Sequence, residues 1–166
     1  MQVQKGIAMA DDTPIKIVAS NRRASFDYEL GERFEAGIVL TGSEIKSVRD
    51  GKMDLRDAFV LIRNREAWLI NAYIPAYALS TGFAGSTART GERRERKLLL
   101  NRKEIGAINK DIDQKGFTTI AIKAYLKKGR AKVEIALARG KKQFDKRQSI
   151  AKRDAQRDIA RAIREK

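Results

Sequence analysis

The sequence predicts a mainly β, antiparallel domain with short helices, followed by a basic C-terminal tail. Three observations carry this expectation. Several short segments repeat apolar residues with period two, as strands do. These segments follow one another without strand–helix alternation, which argues against a parallel sheet. The last 28 residues hold 11 Lys or Arg against 4 Asp or Glu, so +7 of the chain's +15 lies beyond the last strand.

Residues 1–20 show little pattern and are expected to form a flexible N-terminal arm. FEAGIVL, residues 34–40, reads as a strand, with Gly37 marking a bulge or a close backbone approach. Ser43 can cap a short helix, SEIKSVRDG, whose Ile45 and Val48 share a face and which Gly51 ends. AFVLIR and AWLINAYI flank Asn64-Arg65 and predict a hairpin with a tight turn, the second strand ending by Pro75. A basic, Gly/Ser/Thr-rich loop covers roughly 80–96, and KLLL follows it. In NRKEIGAINKDIDQKG, Asn101 and Glu104 form a capping-box pattern, Ile105, Ile108 and Ile112 share one face, and Gly116 stops the helix. FTTIAIKAYL and AKVEIALA alternate as two strands joined by the turn KKGR. About six short strands and two helices result. A small closed antiparallel barrel covers the strand edges; an open sheet backed by helices is the alternative.

The domain organisation expected is an arm over 1–20, a body over 21–138 and a tail over 139–166. The tail opens with RGKKQFDKR, in which six of nine residues are charged. At 100° per residue, Arg153, Arg157, Arg161 and Arg164 fall within about 80° of one another, with Ile159 and Ile163 on the other side. Two isoleucines and a few alanines offer only about 3–6 kcal/mol even if fully buried. Ordering nearly 20 residues costs more. The tail is therefore expected to become helical against a partner.

Composition limits the chemistry. The chain has no Cys and no His, which removes disulfides, thiolate and imidazole catalysis and Cys/His metal sites. No P-loop, HExxH or GxGxxG pattern is present. Asp54 and Asp57 read as cap and turn residues, so neither catalytic residues, metal ligands nor a cofactor are expected. The uncharged run between Glu66 and Arg89 contains Asn71, Pro75, glycines and hydroxyl residues, too polar for a membrane span. Thirty-six basic against 21 acidic residues point to a polyanionic partner. Three basic clusters suit phosphates: RTGERRERK, RGKKQFDKR and the arginine face of the tail. Phe83 and Phe144 lie among small or basic residues and are candidates for stacking on bases. Charge alone also fits a general basic architectural protein that binds any nucleic acid, and a nuclease would need carboxylates to carry a metal.

NRRASFDYEL, EAGIVLTGSEIKSVRDGK, RKLLLNRKEI, GRAKVEIALARGKKQFDKR and SIAKRDAQR together, in order and spacing, resemble the SsrA-binding protein family, also called small protein B. The likeness spans roughly residues 20–157. It implies an oligonucleotide-binding-type β-barrel with flanking helices and no enzymatic activity. It further implies a cytoplasmic, monomeric bacterial factor that binds the tRNA-like domain of transfer-messenger RNA (tmRNA, or SsrA). With elongation factor Tu carried in the same complex, that RNA is delivered to stalled ribosomes. The C-terminal tail then occupies the empty messenger channel, near the decoding region of small-subunit rRNA, and the stalled peptide is tagged in trans-translation.

Carried over by motif, the resemblance implies RNA-binding roles for Asn21 and Arg22 of N-R-R-A, Glu35 and Gly37 of E-A-G, and Lys97 and Leu99 of R-K-L-L-L. Leu99 could pack against a nucleotide or support the surface. Glu35, which cannot neutralise phosphate, could accept from a base edge, a 2′-hydroxyl or a basic neighbour. Gly140, Lys141, Lys142, Asp145, Lys146 and Arg147 match the family's junction motif, placed at the decoding region, with Asp145 a possible cap of the tail helix. Arg153, Arg157, Arg161 and Arg164 would form the helix's basic face. The loop GFAGSTARTGERRERK lacks the His and Pro usual in the family before R-K-L-L-L, while Arg93, Arg94 and Arg96 keep its positive charge.

Overall fold

The structure, a computed structural model, describes residues 14–77 and 91–164, with the side chain of Phe144 excepted. In chain order the elements are β1 (Ile15–Ser20), α1 (Ala24–Asp27), β2 (Tyr28–Ile38), α2 (Gly42–Arg49), β3 (Phe59–Arg63) and β4 (Glu66–Ile70). They continue with β5 (Arg96–Leu99), α3 (Arg102–Lys115), β6 (Thr118–Lys127), β7 (Arg130–Gly140) and α4 (Gln143–Arg164). All strand pairings are antiparallel. They run β6-β3-β4-β5-β2-β7 and return to β6, so six strands close into a ring, with β1 added beside β6. The closure is possible because β6 divides one of its edges. Ile120 and Thr119 pair with β3, while Lys123 to Lys127 pair with β1.

The hairpins follow their turn chemistry. Asn64 and Arg65 (φ 51° and 58°) join β3 to β4, and Lys128 and Gly129 (φ 51° and 74°) join β6 to β7. Asn tolerates the left-handed region; Arg65 sits there at a cost of about 1 kcal/mol relative to glycine. Helix α3 is capped as expected: the Asn101 amide donates to Glu104 Oε2 at 2.9 Å, and Gly116 ends it with φ +64°. Gly106 is exposed in its interior, where it weakens the helix by about 1 kcal/mol relative to alanine.

Four elements differ from expectation. First, Ile15–Ser20 is not part of an arm but strand β1. Ile15 and Ile17 alternate with Lys16, yet are exposed, because among the described residues no layer covers that side of β1. Second, β2 starts at Tyr28 instead of Phe34. A bulge between Leu30 and Arg33 breaks its alternation, and three of its residues there are charged or glycine. Third, α2 is capped by Thr41, not Ser43. Glu44 Oε2 accepts from the Thr41 amide at 2.8 Å, and Thr41 Oγ1 accepts from the Glu44 amide at 3.4 Å. The T-x-x-E pattern, two residues earlier than expected, completes a capping box. Fourth, the tail holds one continuous helix, α4, over Gln143–Arg164, where the local pattern left its conformation to a partner. Its outer turns expose Ile150, Ile159 and Ile163, in keeping with its thin apolar face.

The main core fills the ring: Phe34, Ala36, Val60, Leu69, Leu98, Val133 and Ile135 pack with Leu55 and with Ile108 of α3. A second, smaller cluster lies elsewhere, where Ala24 of α1 meets Ile120 and Ala138, flanked by Tyr28, Leu30, Phe59 and Ile122. Strand β6 therefore serves both clusters. Ile120 and Ile122 go to the second, Ala121 and Ala124 to the first, and a bulge between Ala121 and Lys123 shifts the phase. The second cluster seats α1, and α1 in turn seats the start of α4.

Candidate nucleic-acid interface

Four of the six expected RNA-binding residues, Glu35, Gly37, Lys97 and Leu99, lie on adjoining strands. Gly37 of β2 pairs with Leu99 of β5 on one side and with Lys132 of β7 on the other. Residues flanking them inward, Phe34, Ala36 and Leu98, are buried, so alternation turns Glu35, Gly37 and Leu99 outward. Gly37 is not at the bulge. A Cβ at Gly37 would lie 3.3 Å from Leu99 Cβ and 3.4 Å from its Cδ1, so the absence of a side chain lets Leu99 lie across the strand. Leu99 stays 57% exposed and Val39 44%. Solvent-facing leucine and valine side by side offer an apolar platform that the described residues leave uncovered.

Beside that platform is an ionic cluster. Glu35 pairs in register with Glu134 across β2 and β7. Two carboxylates directly opposite repel unless each has its own counter-charge. Glu134 takes Arg33 at 3.0 Å and Lys123 at 2.9 Å. Glu35 accepts from the Tyr125 hydroxyl and has Lys132 at 3.7 Å and Lys127 at 3.8 Å. The Tyr125 hydrogen bond, helped by both lysines against a smaller effect of burial, holds the Glu35 carboxyl below its ordinary value. Burial first, and then the hydrogen bond to Glu35 and that carboxylate's charge, push the Tyr125 phenol up, so it stays a donor. Two clefts of about 400 Å³ adjoin here. One is lined by Glu35, Lys127 and Lys128, the other by Gly37, Ile45 and Leu99, and Arg130 and Lys132 line both. Cations, a fixed acceptor and an apolar platform are thus brought onto one surface.

Lys97 lies on the same outward row as Leu99 but is ion-paired to Glu66 and adjoins Trp68 in register. Asn21 differs. It is 7% exposed, its Nδ2 donates to Leu55 O at 3.1 Å and Ala121 O at 3.2 Å, and its amide donates to Ile122 O at 2.7 Å. Asn21 therefore does not present its amide to a ligand; it ties the β1–α1 corner, carrying exposed Arg22, to β6. That corner adjoins the junction. The Lys141 amide donates to Asp27 O at 3.0 Å, and its Nζ donates to Ser25 O at 2.9 Å. Lys146 pairs with Asp27 at 3.3 Å, and Arg153 stands over the Phe26 ring at 6.0 Å. Gly140 closes β7 opposite Tyr28. Lys142 and Arg147 are exposed, and Asp145 lies in the first turn of α4, where a carboxylate favours the helix dipole. Arg153, Arg157, Arg161 and Arg164 are exposed along α4, with Asp154 at 3.8 Å from Arg157.

The loop arginines are not the free positive charge expected of them. Arg96 is fully buried, and its guanidinium donates to Glu44 Oε1 (3.0 Å) and to the carbonyls of Ala72 (2.8 Å), Arg94 (3.0 Å), Glu92 (3.1 Å) and Gly91 (3.3 Å). Arg94 reaches Glu44 at 2.6 Å, and Arg93 donates to Asn71 Oδ1 at 3.0 Å. Burial alone would raise the Glu44 carboxyl. Arg94, the Thr41 amide and Arg96 together outweigh it and hold Glu44 below its ordinary value. Phe83, most of the loop and the Phe144 side chain fall outside the described residues. Sequence reasoning missed Tyr125, Lys127, Arg130 and Lys132. Each stands in a visible strand or turn, but which strand neighbours which is set by the ring, not by local pattern.

Among the described residues no cluster of acidic side chains could hold a metal ion, and no helix is long and apolar enough to cross a membrane. The SmpB protein family model matches residues 18–165. An SsrA-binding protein of Lactococcus lactis subsp. cremoris is 49% identical over 156 residues, covering 94% of this chain and 97% of the relative. One from Shouchella clausii is 47% identical over 158 residues, covering 95% and 98%. A chain in a solved structure described as "tmRNA-SmpB: a journey to the center of the bacterial ribosome" superposes with a TM-score of 0.60 at 40% identity, over 78% of this chain and 86% of that one. With a family model spanning the sheet ring, the junction and all of α4, this chain belongs to the SmpB, or SsrA-binding protein, family.

Proposed function

We propose that this chain is a tmRNA-binding factor of trans-translation that brings the RNA's tRNA-like domain to stalled ribosomes. The observation that carries this reading is the joined surface of β2, β5 and β7. Arg130 and Lys132 can take phosphates, Glu35 is held as an acceptor by Tyr125, and Leu99 lies open across Gly37. Cations alone would bind any polyanion. A fixed carboxylate among them rejects phosphate at that point and accepts an N–H or a 2′-hydroxyl, which favours folded RNA over duplex DNA.

The chain acts as a monomeric binding factor without catalysis, in the cytoplasm, and meets elongation factor Tu through the tmRNA complex. The body over 21–138 holds tmRNA, with Arg22 and Lys97 at the margins of the contact. The tail over 139–166 leaves the sheet at Gly140 and turns at α1. It offers Lys142, Arg147 and the row Arg153, Arg157, Arg161 and Arg164 to rRNA along the empty messenger channel near the decoding region. Lys141, Lys146 and Asp145 set the direction in which that helix starts.

The test is a competition between the tRNA-like fragment, bulk tRNA and duplex DNA at moderate salt, with a chain truncated after Gly140 assayed in parallel. The fragment should win, and the truncated chain should bind it while failing to support tagging on stalled ribosomes. Equal affinity for duplex DNA would support a general basic nucleic-acid-binding protein instead. Tagging by the truncated chain would refute the role given to the tail.

A further inference from the structure

A cleft of about 530 Å³ lies between the β3–β4 turn and α3, lined by Ile62, Asn64, Arg65, Arg102 and Gly106 among others. It belongs to a different part of the ring from the Glu35–Leu99 surface. β3 and β4 are separated from β2 and β7 by β6 on one side and, on the other, by β5, which carries Leu99 at its end. Two locally unfavourable choices meet in it. Arg65 holds a positive φ at the turn position where glycine is favoured. Gly106 interrupts a helix where a Cβ would meet nothing within 4 Å, so no internal packing requires glycine there. Strain and weakness kept without an internal reason mark places where a ligand approaches.

The charges in the cleft also differ from those on the adjoining strands. Arg63 is paired with Glu95 and Lys97 with Glu66, whereas Arg65 and Arg102 have no ion-pair partner among the described residues. Unpaired guanidinium groups at the rim, apolar Ile62 and Ile105 below, and a bare helix backbone suit a phosphate, a sugar and a base edge respectively. We propose that this cleft is a second RNA site, which takes one unstacked nucleotide of a single-stranded segment while the Glu35–Leu99 surface holds the tRNA-like fold. Arg65 and Arg102 contact its phosphates, its sugar lies over Ile62 and Ile105, and its base edge lies against Gly106. The proposal rests on the RNA-binding reading above and adds that the two walls bind separate RNAs at once.

The experiment uses the full chain and a fluorescent oligouridylate, titrated with and without saturating tRNA-like fragment. The fragment's own affinity is measured first, against bulk tRNA, so failure of the earlier reading is seen independently of this one. The wild-type chain should bind the oligonucleotide equally well in both conditions. R65Q/R102Q should weaken it about tenfold and reduce the slope of log K against log salt by about 1.4, as expected for two lost phosphate contacts on a single strand. Gly106→Leu, which leaves the charge unchanged but fills the cleft, should weaken it comparably, while Gly106→Ala should bind within about twofold of wild type and melt higher. None of these changes should alter fragment affinity. Displacement of the oligonucleotide by the fragment, a parallel loss of fragment affinity in R65Q/R102Q, or wild-type binding by a folded Gly106→Leu chain would overturn the second site. Competition by polyglutamate at lower concentration than by RNA would assign the cleft to an acidic protein segment.

Discussion

Replacing Glu35 by glutamine separates two explanations of the basic surface, because they predict opposite signs. If RNA binding were charge attraction alone, removing a carboxylate from between Lys127 and Lys132 would raise the local positive charge and tighten binding. The geometry predicts weakening instead. Tyr125 fixes the Glu35 carboxylate as an acceptor; the amide of glutamine is a poorer acceptor and adds a donor facing two lysines. A hydrogen bond to a charged group contributes about 1.5–3 kcal/mol. With Glu35 41% exposed, solvent screening places it at the lower end, about 1.5 kcal/mol, or roughly a tenfold loss of affinity. Fluorescence anisotropy with the tRNA-like fragment over a salt series measures this directly. The slope of log K against log salt should stay close to that of wild type, since no phosphate contact is lost. Tighter binding, or an unchanged constant at every salt, would refute the acceptor role and reduce Glu35 to a counter-charge.

Other expectations test the supports of the same surface. Tyr125→Phe removes the donor and keeps the ring, so it should weaken fragment binding in the direction of Glu35→Gln but less, with the lysines still holding the carboxylate. Gly37→Ala should displace exposed Leu99, its Cβ arriving 3.3 Å from that of Leu99; the melting temperature should hardly move while affinity falls. Glu44→Ala leaves fully buried Arg96 without its counter-ion and should cost about 3–5 kcal/mol in urea denaturation followed through Trp68 fluorescence. Glu44 also has a lowered folded value. Its stabilisation is therefore present above the ordinary carboxylate range and lost as pH falls through the folded value, and Glu44→Gln should flatten that part of the acid curve. Asp27→Asn removes the half-buried partner of Lys146; stability should change by about 1 kcal/mol or less, while amide exchange in the first turns of α4 quickens.

The parts of this fold that could be read in advance are those fixed by local chemistry. Gly116, the Asn101–Glu104 pair and the Asn64-Arg65 turn each satisfy a requirement within a few residues, and all three stand where the pattern put them. What escaped depended on distant chain. β1 shows its alternation, but its isoleucines are exposed because among the described residues no layer covers that side, so the pattern carries no sign of burial. Arg96 and Arg94 looked like free charge because Glu44, some 50 residues earlier, cannot be recognised as their partner from the loop itself. The same applies to the interface. Motif spacing singled out Glu35, Gly37 and Leu99 but not Tyr125 or Lys132, which reach them only once β6 and β7 pair with each other and β7 pairs with β2.

The position of α1 explains how one short chain can hold RNA on its sheet and still direct a long basic helix elsewhere. α1 has four residues, too few to be stable alone, and it is held from two sides. Behind it, Ala24 packs on Ile120 and Ala138, and Asn21 ties its entry to β6. In front, its Ser25 and Asp27 carbonyls receive the Lys141 side chain and amide, and the Asp27 carboxylate receives Lys146. The lysines of the junction motif are thus divided. Lys141 and Lys146 contact α1 where α4 begins, while Lys142 and Arg147 remain exposed. Neutralising Lys142 and Arg147 should weaken ribosome contact and leave α4 in place, whereas neutralising Lys141 and Lys146 should free α4 to swing. Tagging assays at matched tmRNA affinity, combined with amide exchange on α4, separate the two pairs. Equal exchange in both double variants would refute the division.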